Sequence, residues 1–160
     1  MLEKLLGLVR RPFRGQIEPA GPQYGALPYR FIDGQLVVLL VTSRGRGKWI
    51  FPKGALIEGK TPWESAAYEA YEEAGVEGEI EQTPIGSYLL PVTEERPAPV
   101  EVKVFPLKVT NQREDWKEMG QRYRHWAVLP EAKRLITHEG LADLALALAQ
   151  RELSRPKSKP

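Results

Sequence analysis

The chain of 160 residues contains no cysteine, only two histidines and no visible internal repeat. The absence of cysteine excludes a disulfide framework, a zinc site with thiolate ligands and catalysis by a thiol, and it agrees with a reducing cytoplasm, the location we predict. His125 and His138 are far apart in the sequence, so we expect both to be structural or surface residues. The length corresponds to one domain with a complete hydrophobic core.

Positive charge is absent from one long stretch of the chain. Residues 61–95 contain no lysine or arginine, whereas basic residues collect at both ends and around the loops. The formal net charge of +2 is small, and by itself it identifies no partner, so we expect no stable nucleic-acid complex. The acidic stretch is therefore the first candidate for a functional site.

Both ends of the chain differ in composition from its middle. Residues 1–14 combine leucine and valine with basic side chains, which is typical of a basic amphipathic segment, and residues 15–22 form a linker with prolines and glycines. Such a segment can contact an anionic membrane surface, but it is too short and too basic to span a bilayer, and packing on its own domain is the more common arrangement. We predict a single domain over residues 23–153 and a disordered tail over residues 154–160. The oligomeric state stays open.

Hydrophobic patterning in the middle of the chain predicts strands around one helix. Residues 24–32 and 36–42, joined by Asp33 and Gly34, have the pattern of a β-hairpin, and the apolar run 36–41 suits a central strand. Further strands are predicted over residues 79–90, 99–109 and 121–128, and two short C-terminal helices over residues 131–136 and 141–153. This order of elements predicts an α/β fold.

The helix between residues 61 and 75 has clear start and stop signals. Thr61 followed by Glu64 predicts a capping box, Pro62 suits the first helical position, and Gly75 suits a left-handed C-cap. Mostly small side chains recur at helical spacing on one face, namely Trp63, Ala66, Ala67, Ala70 and Ala74. A helix with so narrow an apolar stripe can lie close against a sheet.

Three carboxylates, Glu69, Glu72 and Glu73, project from a flank of this helix next to the apolar stripe. Like charges at these spacings destabilise a helix by roughly 0.2–0.5 kcal/mol per pair, and the macrodipole disfavours anions in the C-terminal half. A hard divalent cation reverses the sign of that cost, because Mg²⁺ takes oxygen ligands and is usually bound through one or two carboxylates plus substrate phosphates. A bare E-x-x-E-E motif is more often a solvated acidic face, so the surrounding residues decide its meaning.

The surrounding residues resemble the signature of the Nudix hydrolases, a glycine followed by five residues, a glutamate, seven residues and R-E-U-x-E-E-x-G-U, with U an aliphatic residue. The first glycine falls at Gly54, the later glutamates coincide with the three carboxylates, and the closing pair is Gly75 and Val76. Two positions depart from the signature, because Lys60 replaces its first glutamate and Tyr68 replaces its arginine. The family's arginine helps to orient the glutamates, so Tyr68 bears directly on their positioning.

The resemblance implies an α/β/α sandwich with a mixed sheet, and hydrolysis of a phosphoanhydride with Mg²⁺, or Mn²⁺ in its place. It also implies that Glu69 and Glu73 are metal ligands, that a backbone carbonyl near Gly54 adds to their shell, and that Glu72 is the general base. A nearby metal keeps a carboxylate ionised, so this base is expected to work through geometry rather than through a raised pKa.

Two further stretches, residues 40–52 and 114–126, resemble the diphosphoinositol polyphosphate phosphohydrolase branch of the family. The resemblance implies a small-molecule substrate, either an inositol pyrophosphate or a dinucleoside polyphosphate, whose phosphates contact basic side chains. The residues predicted to bind substrate are Arg30, Ser43, Arg44, Lys53, Arg122 and Arg124. Hydrolysis at RNA 5′ ends, and a polyphosphate-binding module that kept the fold with weak activity, are the alternatives.

Overall fold

The structure is a computed structural model that describes residues 21–156 of the chain. The predicted amphipathic segment at residues 1–14, most of the predicted linker at residues 15–22, and residues 157–160 of the predicted tail lie outside the described residues. Within the described range, no helix is both long enough and apolar enough to cross a membrane.

Eight strands of the described range form one mixed sheet. They are β1 (Gln23–Ile32), β2 (Gln35–Thr42), β3 (Trp49–Ile50), β4 (Lys53–Ala55), β5 (Val76–Ile80), β6 (Gly86–Leu90), β7 (Val100–Gln112) and β8 (Arg124–Val128). The central pair, β1 and β7, is parallel, and all other pairs are antiparallel. Strand β2 pairs with β1, β3 and β8, β4 pairs with β1, and β5 and β6 both pair with β7. The predicted hairpin of β1 and β2 is therefore confirmed.

Helices cover both faces of this sheet. They are α1 (Pro62–Ala74), α2 (Leu129–Leu135) and α3 (Glu139–Ser154). Three alanines of α1, Ala66, Ala70 and Ala74, pack in one core cluster with Tyr24 and Val41. Helices α2 and α3 contribute Ala132, Leu141 and Leu148 to a second cluster on the opposite face. This arrangement confirms the predicted α/β/α sandwich with a mixed sheet.

The ends of α1 are the ones that the sequence predicts. Thr61 Oγ1 accepts a hydrogen bond from Glu64 N at 3.2 Å, and Glu64 Oε2 accepts one from Thr61 N at 3.0 Å, which completes the capping box. Pro62 occupies the first turn, and Gly75 ends the helix with a φ of 65° in the left-handed region. These caps determine the register of the helix, and so the direction in which its glutamates point.

Several predicted boundaries were wrong. The single strand expected at residues 79–90 is two strands, β5 and β6, separated by a segment that contains Pro84, which cannot donate to a ladder. The strand expected at residues 121–128 begins only at Arg124, because Gln121 N and Arg122 N donate to Glu118 O in a turn. Helix α3 continues to Ser154, a residue that the sequence pattern places in the tail.

Both histidines have structural contacts, as expected. His125 pairs with Glu131 of α2, and its ring lies 5.9 Å from that of Trp49. His138 Nδ1 accepts a hydrogen bond from Gly140 N at 3.1 Å and so caps α3.

Candidate active site

The first contact of the site joins α1 to β4. Tyr24 of β1 pairs with Gly54, which places this glycine at the end of the sheet that α1 crosses. The carboxylate of Glu69 lies so close to Gly54 that a Cβ at position 54 would overlap it. A side chain at position 54 would therefore displace the Glu69 carboxylate from the backbone of β4.

Glu73 is buried more deeply than Glu69 at this site, with 5% of its surface exposed. Its carboxylate accepts hydrogen bonds from Lys53 N and from Arg122 Nη2, both at 3.3 Å. Burial, reinforced by Glu69 and Glu118 and opposed by Arg122, raises the pKa of Glu73 to about 8. Burial likewise raises the pKa of Glu69 to about 7, so the two carboxyls crowd one weakly solvated space.

A buried carboxylate that sequence reasoning missed lies beside this pair. Glu118, with 8% of its surface exposed, accepts a hydrogen bond from Arg122 Nε at 3.2 Å and lies 3.6 Å from Arg44 Nε. Its negative charge contributes to the raised pKa values of Glu69 and Glu73. Glu118 is 45 residues from Glu73 in the chain, and no spacing rule connects two residues so distant, so only the fold could reveal it.

Glu72 has partners that the other two glutamates of α1 do not share. Its carboxylate lies 3.0 Å from Lys117 Nζ and accepts a hydrogen bond from the Tyr68 hydroxyl. Partial burial acts to raise its pKa, but the bonds from Tyr68 and Lys117 outweigh burial and lower the pKa of Glu72. The three carboxylates thus differ, because burial raises the pKa of Glu69 and Glu73 whereas that of Glu72 is lowered.

Glu69 and Glu73 together fit a hard divalent cation. Within residues 21–156, no group of three acidic or histidine side chains is arranged to enclose a metal ion. Two carboxylates are nevertheless what Mg²⁺ usually takes from a protein, with water and substrate phosphates as the other ligands. The mutual charge and burial of Glu69 and Glu73 are costs that such a cation reduces.

Three of the predicted substrate-binding residues lie at this site. Arg122 is 7% exposed between Glu73 and Glu118, so it holds the carboxylates in place. Lys53 contacts Glu73 through its backbone, while its Nζ donates to Gln23 Oε1 at 2.9 Å. The Arg44 side chain is 40% exposed beside Glu118, which leaves part of its guanidinium accessible from solvent.

The other three are not brought to the carboxylates. Ser43 Oγ accepts a hydrogen bond from Lys48 N at 2.9 Å and closes its own turn. Arg124 donates to Ala74 O at 2.9 Å, and its guanidinium lies 3.8 Å from the ring centre of Trp116. Arg30 is six residues along β1 from the partner of Gly54, a separation of about 20 Å in an extended strand. It stacks on Trp126 at 4.3 Å.

The architecture and the signature have a match among known proteins. A model of the NUDIX domain matches residues 23–144. The chain belongs to the Nudix family. The resemblance stated from the sequence is thereby confirmed, and the Nudix signature coincides with β4 and α1, where Gly54, Glu69 and Glu73 meet.

Curated relatives of this Nudix chain include plant and animal proteins. Nudix hydrolase 12, mitochondrial, of Arabidopsis thaliana is 35% identical over 133 residues, which cover 72% of this chain and 66% of that protein. Diphosphoinositol polyphosphate phosphohydrolase 2 of Rattus norvegicus is 32% identical over 102 residues, 62% of this chain and 54% of that protein. The chain therefore spans less than two thirds of the length of these two relatives.

Solved structures show the same fold at lower identity. The Ap4A hydrolase of C. elegans in a binary complex superimposes with a TM-score of 0.66 at 20% identity, over 85% of this chain and 100% of that one. A NUDIX hydrolase from Nitrosomonas europaea superimposes with a TM-score of 0.63 at 18% identity, over 81% and 90% of the two chains. Both likenesses support the Nudix fold.

Proposed function

We propose that this Nudix protein hydrolyses a phosphoanhydride bond in a small molecule that carries a diphosphate, with Mg²⁺ or Mn²⁺ as cofactor. The observation that carries the proposal is the half-buried Glu69 against Gly54 with the buried Glu73 beside it, on the segment that matches the Nudix signature. The hydrolase names of the relatives agree with this reaction class.

Glu69 and Glu73 would hold the cation, together with a backbone carbonyl at Gly54. When bound, the cation would neutralise charge on the phosphates and lower the pKa of a bound water. Arg122 keeps the carboxylates apart and oriented through its bonds to Glu73 and Glu118. Because its side chain is only 7% exposed, this role is favoured over the direct phosphate contact predicted from the sequence.

Glu72 is our candidate for the general base, which accepts a proton from the attacking water. Its lowered pKa keeps it ionised at neutral pH, so it can accept a proton but gains no basicity from its surroundings. The assignment therefore depends on geometry, and Tyr68 and Lys117 set that geometry. Glu118, a buried carboxylate at the same site, is the competing candidate.

The substrate is proposed to be an inositol pyrophosphate or a dinucleoside polyphosphate. Arg44 and Lys53 bring positive charge to the edge of the carboxylate site, where a chain of phosphates would enter. One relative is named for diphosphoinositol polyphosphate, and one structural neighbour is named for Ap4A, which supports both substrate classes. A cytoplasmic location stays a prediction, since several relatives are named mitochondrial or chloroplastic.

The test is an assay of the purified protein with Mg²⁺ and, separately, a diphosphoinositol pentakisphosphate, a diadenosine polyphosphate and a triphosphorylated RNA. We expect turnover of one of the first two, and we expect Glu72→Gln to lower kcat by about 10²- to 10⁴-fold, which is the usual contribution of a general base. Glu79→Gln, an exposed glutamate of β5, is the matched control and should leave kcat unchanged.

Other outcomes identify the alternatives. Turnover of the RNA alone would replace the proposed substrate class with RNA 5′ ends. Binding of a polyphosphate without turnover would replace hydrolysis with a binding role. If Glu72→Gln keeps full activity, the base is another residue, and Glu118→Gln becomes the variant to test.

A further inference from the structure

The two departures from the Nudix signature contact each other. The Lys60 ammonium lies 5.4 Å from the centre of the Tyr68 ring, a distance at which an aromatic face attracts a cation. Tyr68 precedes Glu72 by one helical turn, so the two side chains are neighbours on the helix surface, and the Tyr68 hydroxyl helps to lower the pKa of Glu72. Tyr68 therefore interacts with Lys60 through its ring and with Glu72 through its hydroxyl.

A second donor reaches Glu72 from outside the helix. Lys117 Nζ lies 3.0 Å from Glu72 Oε1, although the lysine side chain is 68% exposed. Both sequence neighbours of Lys117 are tied to the end of α1, because Trp116 Nε1 donates to Glu73 O at 3.1 Å and Glu118 N donates to Glu72 O at 3.2 Å. These two anchors place the backbone of Lys117 beside Glu72.

We propose that Tyr68 and Lys117 are positioning residues that jointly replace the arginine of the signature and orient the Glu72 carboxylate. The inference rests on the proposed function, in which Glu72 accepts a proton from water. An arginine combines positive charge and several N–H donors in one side chain. In this chain Tyr68 on α1 supplies the donor, and Lys117 in the loop after β7 supplies the positive charge. The orientation of Glu72 therefore depends on how that loop is anchored.

A second use of Lys117, contact with a substrate phosphate, predicts different kinetics. Loss of a phosphate contact that is equally strong in the ground state and the transition state raises KM and leaves kcat unchanged. Loss of orientation at the base lowers kcat and leaves KM nearly unchanged. The exposure of Lys117 lets its side chain be replaced without disturbing the core.

The test compares kcat and KM of the wild type, Lys117→Met and a control, Lys133→Met, which changes an exposed lysine of α2 on the opposite face of the sheet. We expect Lys117→Met to lower kcat by about tenfold with less than about a threefold change in KM. The control should change neither. Lys117→Arg, which keeps the charge, should recover most of kcat.

The stronger part of the test is recovery of kcat by an arginine introduced into α1. Tyr68→Arg, introduced into Lys117→Met, should restore kcat to within about threefold of the wild type, because a guanidinium at position 68 reaches Glu72 across one turn. An unchanged kcat in Lys117→Met, an effect confined to KM, or no recovery in either arginine variant would overturn the inference.

The contact can also be measured without turnover. Thermal midpoints in EDTA are compared for the wild type, Lys117→Met, Glu72→Gln and the double variant. Pairing predicts that Lys117→Met lowers the midpoint by about 2 °C in the wild type and has no effect in the Glu72→Gln background. Equal shifts in both backgrounds would refute the pairing. A wild type that turns over no substrate would sink the proposed function alone, since this unfolding comparison still decides the contact.

Discussion

At Gly54 the backbone of β4 lies against the carboxylate of Glu69. A Cβ there would overlap the Glu69 carboxylate, so we predict that Gly54→Ala displaces that group. Activity and Mg²⁺ affinity should fall by about tenfold or more, because small misplacements at a reacting centre are costly. Thermal stability should change little, since alanine is at least as favourable as glycine in a strand. Steady-state kinetics, calorimetric titration with Mg²⁺ and thermal unfolding measure the three quantities.

Glu69→Gln is the comparison for this variant. It keeps the shape of the side chain and removes its charge, so it should weaken Mg²⁺ binding at least as much as Gly54→Ala does. Full activity and unchanged Mg²⁺ affinity of Gly54→Ala would show that the position of Glu69 against β4 does not matter for the reaction.

The C-terminal end of α1 is capped by residues from other parts of the chain. The last carbonyls of a helix have no partner within it, and three of them here accept hydrogen bonds from Glu118 N, Trp116 Nε1 and Arg124 Nη1. The loop that caps α1 is thus the loop that carries Lys117 and Glu118 to the site. Capping of the helix and assembly of the site therefore share the same contacts.

A substitution at Gly75 tests whether capping of α1 and assembly of the site depend on the same contacts. The φ of Gly75 is 65°, and a Cβ would lie 2.9 Å from both Arg124 Nη1 and Trp116 Cβ. We predict that Gly75→Ala lowers the free energy of unfolding by about 2–4 kcal/mol, of which about 1–2 kcal/mol comes from the left-handed backbone and the rest from crowding. Chemical denaturation measures the loss, and kcat should fall with it because the loop is displaced.

Gly34 provides the matched control. Its φ is 79° in the hairpin turn, and no atom lies within 4 Å of a Cβ built there. Gly34→Ala should therefore lose only the backbone contribution and keep full activity. Equal losses of stability in the two variants would contradict a role for the contact between Gly75 and the loop.

For the molecule as a whole, the carboxyls of Glu69 and Glu73 make stability depend on pH. Burial raises the pKa of Glu69 to about 7 and that of Glu73 to about 8, from an ordinary value of 4.5. A carboxyl whose pKa is raised by folding stabilises the folded state below its unfolded pKa, and this contribution is lost as pH rises through the folded pKa. In EDTA, the thermal midpoint should therefore fall by about 5 °C or more between about pH 5 and about pH 8.5.

Mg²⁺ should oppose this fall, because it binds ionised carboxylates in competition with protons. Its stabilising effect on the thermal midpoint is expected to be larger at about pH 8.5 than at about pH 6. Glu73→Gln removes the larger raised pKa and should flatten the profile in EDTA. A midpoint in EDTA that stays constant or increases over this range would contradict the prediction.

Features that depend on near neighbours in the chain could be predicted from the sequence alone. Thr61, Pro62 and Gly75 set the ends of α1 because caps act within one helical turn, and Asp33 with Gly34 sets the first hairpin because a tight turn involves only adjacent residues. The signature on this helix was sufficient for the family and the sandwich fold. The break between β5 and β6 was missed because alternation of hydrophobic residues carries weak information about where a strand ends.

The tertiary structure alone decided which distant residues meet the helix. Lys117 and Glu118 reach α1 only because β7 runs back along the sheet and the loop after it folds over the helix end. The same folding carries Arg30 to the far end of β1, away from the carboxylates, although its charge suits a phosphate. Local signals extend over a few residues, whereas these positions depend on the packing of the whole sheet, so the sequence determined the helix and its glutamates and the fold determined their partners.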